Sequence, residues 1–316
     1  AQATRPPSLP LPKAADERSI AILKCKTERR GELAAAGKAY YRPIDECPDF
    51  PLVARSSWLP PRLMPLQMVD AAKIRLEPDP AVAPPASPTF LGGQTCQAWS
   101  KALNPNIMLT DETCYRLMDI QVDGDGLPRM TFGRCTYFDY YNTCEASAFE
   151  LAEWRLASVD RAPATRGIHG VPADLWRFDN RNAVPGQNAL LVLHGLPDLD
   201  RVFLVHERTQ QGQAQLAEAQ NTLHVVPAGT FQPENARGGL ARDFSMVRGI
   251  LRELAEELLG RKEVEQQFHM GEDFLTNPTV APYLAAYQAG TLRIEYMGMG
   301  LDPVTAKPEV LLLMVL

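Results

Sequence analysis

The sequence predicts an α+β protein in two parts, and three observations carry that prediction. Apolar runs of strand length lie on both sides of one strongly amphipathic stretch, "SMVRGILRELAEELLG", in the C-terminal half. Strands flanking a helix in this way build an α+β or α/β unit around one apolar core. A second group, two strand-like runs joined by "DGDGLPR" and followed by a helical run, lies in the middle of the chain. Prolines gather at the start: fifteen of the 27 precede residue 90. Proline fixes φ and removes a backbone donor, so residues 1–93 read as a Pro-rich extended arm.

Taken in order, "ADERSIAILKCKTERRGELAAAGKA" (15–39) is rich in helix formers and predicts one helix ending near Gly37. Residues 94–160 predict a small α+β region. In it "QTCQAWSKAL" is a short helix, and "CYRLMDIQV" and "MTFGRCTYF" form a hairpin. "YYNTCEASAFELAEWRLAS" is a helix that turns Ala148, Leu151, Trp154 and Leu156 to a core. Periodicity stops in "SVDRAPATRGIHGVPADLW", which marks a boundary. Residues 187–316 predict a further domain. Its strands are "NALLVLHGL", "RVFLVHERT" and "TLHVVPAGTF", the last ending in a glycine turn at Gly229. A helix over 243–259 follows, with Val247, Ile250, Leu251, Leu254 and Leu258 inward. "NPTVAPYLAAYQAG" gives another helix, and "TLRIEYMGMG" and "PEVLLLMVL" are closing strands.

Composition excludes several classes. The chain has 316 residues, is 45% hydrophobic and 22% charged, and carries a formal net charge of −6. That balance is globular and disfavours a broad nucleic-acid surface, which needs a basic face to displace counterions. No apolar run approaches the roughly 18–20 residues that span a bilayer. The first residues have no signal-peptide core, so a cytoplasmic protein without a membrane partner is expected. The six cysteines form no CxxC pair, and reduced thiols are expected, with Cys135 and Cys144 straddling a strand and a helix. "DGDG" is a turn and not a calcium loop, because the twelfth position from Asp123 is Arg134. His194, His206 and His224 fall in strands and read as structural imidazoles. There is no GxSxG, P-loop or GxGxxG.

One stretch carries chemistry. Glu253, Glu256 and Glu257 are spaced i, i+3, i+4, so a helix gathers them on one face. Like charges at those spacings repel by roughly 0.2–0.5 kcal/mol per pair, and Arg252 can offset only part of this. Either the face is well solvated or a cation belongs there. Carboxylates on a rigid face suit Mg2+ or Mn2+.

"RELAEE" after a strand, a glycine and a loop resembles the second half of the Nudix signature, which runs Gly, five residues, Glu, seven residues, then Arg-Glu-aliphatic-x-Glu-Glu-x-Gly-aliphatic. Arg252, Glu253, Leu254, Glu256 and Glu257 occupy its places. The resemblance implies an α/β/α sandwich in which Glu253, Glu256 and Glu257 ligate the metal and Arg252 orients a glutamate. The first half of the signature departs from the pattern. One alignment puts Gly238 and Phe244, next to Asp243, in the Gly and Glu places. The preferred one uses Gly229 and Glu234 with "NARGGLAR" inserted. Leu259 replaces the later Gly, and Gly260 comes one place late. "CYRLMDI", "MTFGRCTYFD" and "RDFSMVRGILRELAEELLG" together are similar to large actinobacterial proteins with a Nudix-like domain, some labelled as regulators.

Two functions are therefore expected in competition. One is an Mg-dependent hydrolase acting on a nucleoside diphosphate derivative. The other is an inactive Nudix-like module that binds a nucleotide or nucleotide-sugar as a sensor. A third reading is a structural protein with an accidental charged helix. The expected partner is a nucleotide-type small molecule, a homodimer is open, and the apolar end "LLLMVL" lacks the closing helix such domains usually have.

Overall fold

The computed structural model describes residues 17–77, 95–103, 109–124, 126–157, 172–197, 199–208, 222–233, 240–258 and 274–316. It is an α+β fold, as the strand and helix pattern predicted. The N-terminal segment carries α1 (Glu17–Glu28), α2 (Arg30–Tyr41), β1 (Met64–Pro65), α3 (Leu66–Lys73) and β2 (Ile74–Leu76). Then come α4 (Cys96–Leu103), β3 (Thr113–Val122), β4 (Pro128–Thr136), α5 (Tyr137–Tyr140) and α6 (Ala146–Leu156). The C-terminal part has β5 (Gly186–Leu196), β6 (Leu199–Phe203), β7 (Val205–Arg208), β8 (Thr222–Val225) and β9 (Ala228–Thr230). It continues with α7 (Met246–Leu258), α8 (Ala281–Gln288), β10 (Arg293–Leu301) and β11 (Pro308–Val315).

The main sheet runs β1-β10-β11-β5-β6, with β9 also paired to β5. β11 and β5 are parallel, and the other pairs in this sheet are antiparallel. A smaller sheet runs β2-β4-β3, and β7 and β8 make a two-stranded ribbon. The alternation along β11 explains its place. Val310, Leu312 and Met314 are buried while Glu309, Leu311 and Leu313 on the opposite face are half-buried.

One cluster of buried residues draws on both halves of the chain. Tyr41, Trp58, Val69, Tyr115 and Phe132 belong to it together with Ile250, Leu254, Tyr296, Leu312 and Met314. A second cluster joins α1, α4 and α6 through Ile22, Cys25, Trp99, Phe149 and Leu151. All six cysteines are free, and Cys135 and Cys144 do lie on β4 and in a helical segment. Among the described residues no helix is long and apolar enough to cross a membrane.

Several local expectations are corrected. The helix expected over 15–39 is two helices broken at Arg29. Gly37 does not end it: it lies inside α2 where a Cβ would fall on the Pro303 carbonyl, so a close approach and not a cap requires glycine there. The segment read as an extended arm with one helix carries three helices and two short strands among residues 17–77. β1 adds a strand to the main sheet. The expected helix from Tyr140 contains a π-helical turn, Tyr141–Glu145, and Leu156 is 39% exposed in its last turn. Leu258 is likewise 42% exposed and not inward. In both cases the apolar stripe ends one turn before the helix does. The run 201–209 is broken at Leu204 and the run 222–231 at residues 226–227.

Candidate functional site on the acidic helix

α7 is where the amphipathic pattern placed it. Its apolar face, Ile250, Leu251 and Leu254, is buried, and it packs on β9, β5 and α3. Capping fixes its start. Gly249 N–H makes the first intrahelical bond, to Ser245 O at 3.0 Å, which leaves the amides of residues 246–248 without partners in the helix. Ser245 Oγ accepts from Arg248 N–H at 3.2 Å. Asp70, on α3, accepts from Met246 N–H at 2.6 Å, from Val247 N–H at 3.3 Å and from the Ser245 hydroxyl. Every amide in the first turn is thereby satisfied. Burial pushes the Asp70 carboxyl above the usual carboxylate range, and these hydrogen bonds oppose that shift.

Gln187 holds the same turn from the sheet. Its side chain is fully buried in β5 and donates from Nε2 to Met246 O at 2.9 Å. Gly249 makes room for it, since a Cβ there would fall on Gln187 Oε1.

At the other end the charged residues of the motif meet β9. Glu253 is buried, and its carboxylate lies where a Cβ on Gly229 would be. Gly229 is therefore not a turn glycine. It sits inside β9, opposite Gln187 in register, and is needed because the helix comes this close. Arg252 donates to Gln232 O at 3.0 Å and Thr230 O at 3.2 Å, and pairs with Glu253 Oε1 at 2.6 Å and Glu256 at 3.6 Å. Arg252 thus pairs with two of the three glutamates of the motif. Glu257 Oε2 accepts from Ala228 N–H at 2.9 Å. One short strand thus receives three of the four charged side chains of the motif.

An aromatic floor supports the strand's exit. Phe231 and Phe244 pack with Tyr115 and Phe132, and Tyr115 Oη donates to Leu240 O at 2.7 Å. Phe244, the Glu place in one alignment, is part of this packing. Asp243 beside it is buried and paired with Arg242 and Arg248. Glu234, Gly238, Leu259 and Gly260 lie outside the described residues. His194 and His206 stand exposed, whereas His224 Nδ1 lies 2.9 Å from Val225 O.

Hard oxygen donors are the right kind for Mg2+ or Mn2+. Among the described residues, however, no three His, Cys, Asp or Glu side chains converge on one point as metal ligands. Glu253 is turned to Arg252 and Glu257 to a backbone amide. The sequence pattern singled out Arg252 and the three glutamates, and not Asp70 or Gln187. A glutamine inside the apolar run "GQNALLVL" was a signal; for Asp70 there was none in the local pattern. No family model matches the chain, and no curated protein matches it.

Proposed function

We propose that residues 187–316 form a Nudix-type α/β/α module that takes Mg2+ or Mn2+ and a nucleotide-type ligand on the acidic face of α7, and hydrolyses a nucleoside diphosphate derivative. The single observation that supports this reading best is the docking of the acidic helix on β9, with Glu253 against Gly229 and Glu257 on Ala228. That matches the order of strand, glycine, loop and helix in the Nudix pattern. Electrostatics adds to it. Glu256 and Glu257 stand in the last turn of α7, towards the negative end of the helix dipole, and lie three and four residues from Glu253 on one face. A divalent cation would remove both penalties. Glu253, Glu256 and Glu257 would hold it only by turning from Arg252 and the Ala228 amide, since in the structure they do not converge on one point. When bound, such an ion polarises a phosphoryl oxygen and makes a water nucleophilic near neutral pH.

A second reading is a non-catalytic module that binds a nucleotide or nucleotide-sugar and reports it to a partner. It is favoured by what the motif's side chains touch. Arg252 and Glu257 are bonded to the backbone of residues 228–232, contacts that hold a fold.

Thermal melts with and without metal, beside a panel of nucleoside diphosphate derivatives, test both. Metal binding to the native state alone stabilises by about 2.7 kcal/mol at a hundredfold excess over Kd. Glu257→Gln keeps an oxygen for Ala228 N–H but removes a ligand charge. It should abolish most of the metal-induced rise in Tm, and any hydrolysis, while leaving the metal-free melt unchanged or slightly higher. Metal-dependent nucleotide binding without turnover would select the sensor. Identical melts for wild type and variant, with either metal, would leave only a charged helix.

A further inference from the structure

We infer that the β7–β8 ribbon carries a two-histidine metal site: His206 and His224 hold a first-row divalent ion that favours imidazole, Zn2+ or Cu2+, across the two strands. The site is separate from α7 and does not depend on how that helix is read. The strands pair antiparallel, and His206 stands directly opposite His224 in their register. Opposed residues of an antiparallel pair point to one face, with Cβ atoms about 4.5–5.5 Å apart. Two nitrogens held at about 2.0–2.1 Å by a tetrahedral ion are roughly 3.3 Å from each other. Two imidazoles leaning together from opposed positions therefore reach one ion with the backbone unmoved. His206 is exposed and His224 half-buried, so the ion has access from solvent. Imidazole suits Zn2+ and Cu2+, whereas Mg2+ and Mn2+ favour oxygen ligands.

The ring chemistry points the same way. His224 Nδ1 lies 2.9 Å from the Val225 carbonyl oxygen. A carbonyl only accepts, so Nδ1 carries the proton and the neutral ring has its lone pair on Nε2. Histidines that ligate metals are oriented in this way, by donating the other ring N–H to a backbone carbonyl. The ribbon also has a use for an ion. Each strand has four residues, and among the described residues the two pair only with each other. On the face opposite the histidines Val205 is 58% and Leu223 74% exposed, so little apolar burial holds the strands together. A lone two-stranded ribbon is marginal in water, and an ion that binds only the paired strands stabilises the pairing. Among the described residues no group of three His, Cys, Asp or Glu forms a metal cage. The protein thus supplies two ligands and leaves the other positions to water or an outside ligand, as an open site does. The sequence shows the two histidines only as separate imidazoles, because the pairing of β7 with β8 is what brings them together.

The test uses the full-length chain without a polyhistidine tag, with Zn2+ in titration calorimetry and Cu2+ in electron paramagnetic resonance. The Cu2+ spectrum should show splitting from two imidazole nitrogens, which the carboxylates of α7 cannot give. His206→Ala and His224→Ala, each shown to be folded by circular dichroism, should weaken Zn2+ binding roughly tenfold or more. Losing even a partner behind a ligand costs about 10–100-fold, and a lost ligand costs no less. His194→Ala, at an exposed histidine outside the pair, should leave binding unchanged. Zn2+ should also slow amide hydrogen exchange in both strands of the ribbon together. Equal Zn2+ binding by wild type and His206→Ala, or an equal loss in His194→Ala, would show scattered imidazole binding and overturn the inference. A wild type that binds neither ion, or exchange that Zn2+ slows in neither strand, would overturn it as well. Should His224→Ala not fold, His206→Ala and the exchange pattern decide by the same criteria.

Discussion

Two buried charges show how differently single residues can be held. Lys26 and Glu145 pair at 2.6 Å with side-chain exposures of 5% and 1%. Burial alone would lower the Lys26 pKa, but the Glu145 carboxylate more than reverses this, so the lysine stays charged well past its ordinary range. A group with a raised folded pKa contributes stability below its unfolded pKa and loses it as pH rises through the folded value. The charge on Lys26 should therefore contribute stability at neutral pH, and this contribution should be lost in strong alkali. Lys26→Met leaves a buried carboxylate unpaired and should cost about 3–5 kcal/mol in urea unfolding. Lys26→Met with Glu145→Leu should recover most of that loss, since apolar replacement of a buried pair is often neutral. A double variant as unstable as the single one would contradict this. Asp70 behaves in the opposite way to an ordinary salt-bridged carboxylate. Its folded pKa is raised, so its contribution is greatest below the unfolded value of about 3.9 and is lost as pH rises through the folded value. Asp70→Asn should therefore compare more favourably with wild type at pH 7 than at pH 4. An equal difference at both pH values would show that no such shift exists.

At the scale of the element, α7 and β9 form one unit because a glycine lets them touch. Gly229→Ala would put a methyl group onto a carboxylate that Arg252 already holds. Overpacking of this kind costs roughly 1–3 kcal/mol. Removing the obstruction with Glu253→Ala should make the same glycine change nearly harmless. The double-mutant cycle should then give a coupling of about 1 kcal/mol or more, measured by chemical denaturation. Additive effects would mean that strand and helix do not meet there. The amphipathic pattern made α7 legible from the sequence: Ile250, Leu251 and Leu254 repeat with the helical period and are buried. The breaks at Leu204 and residues 226–227 were not legible, because apolar residues continue through both, and the break at Arg29 was not, because it lies in a charged run between two stretches of helix formers. Only the neighbouring strands and helices decide where such a run is interrupted.

For the whole molecule, the shared core matters most. The sequence boundary between the two expected parts falls over residues 158–186, yet Tyr115 and Phe132 on one side pack with Phe231 and Phe244 on the other. Tyr115 N–H also bonds Phe231 O at 3.3 Å and Leu117 N–H bonds Ala183 O at 2.8 Å. A protease site engineered into residues 158–171 should therefore yield two fragments that elute together from a size-exclusion column and unfold in one transition. Fragments that separate without denaturant would establish two independent units.

The sequence by itself determined the α+β class, the amphipathic helix and the cluster of Arg252, Glu253, Glu256 and Glu257, because these depend on periods of two and 3.6 residues within a short window. Tertiary structure alone decided that Gly229 is a contact glycine, that Leu156 and Leu258 lie beyond the buried stripe, and that Asp70 and Gln187 hold the start of α7. These are meetings between segments from about 20 to 175 residues apart, and no local period records them. The physical reason is that a close approach or a cap supplied from another element depends on where the core brings two surfaces together. That is settled by packing over the whole chain.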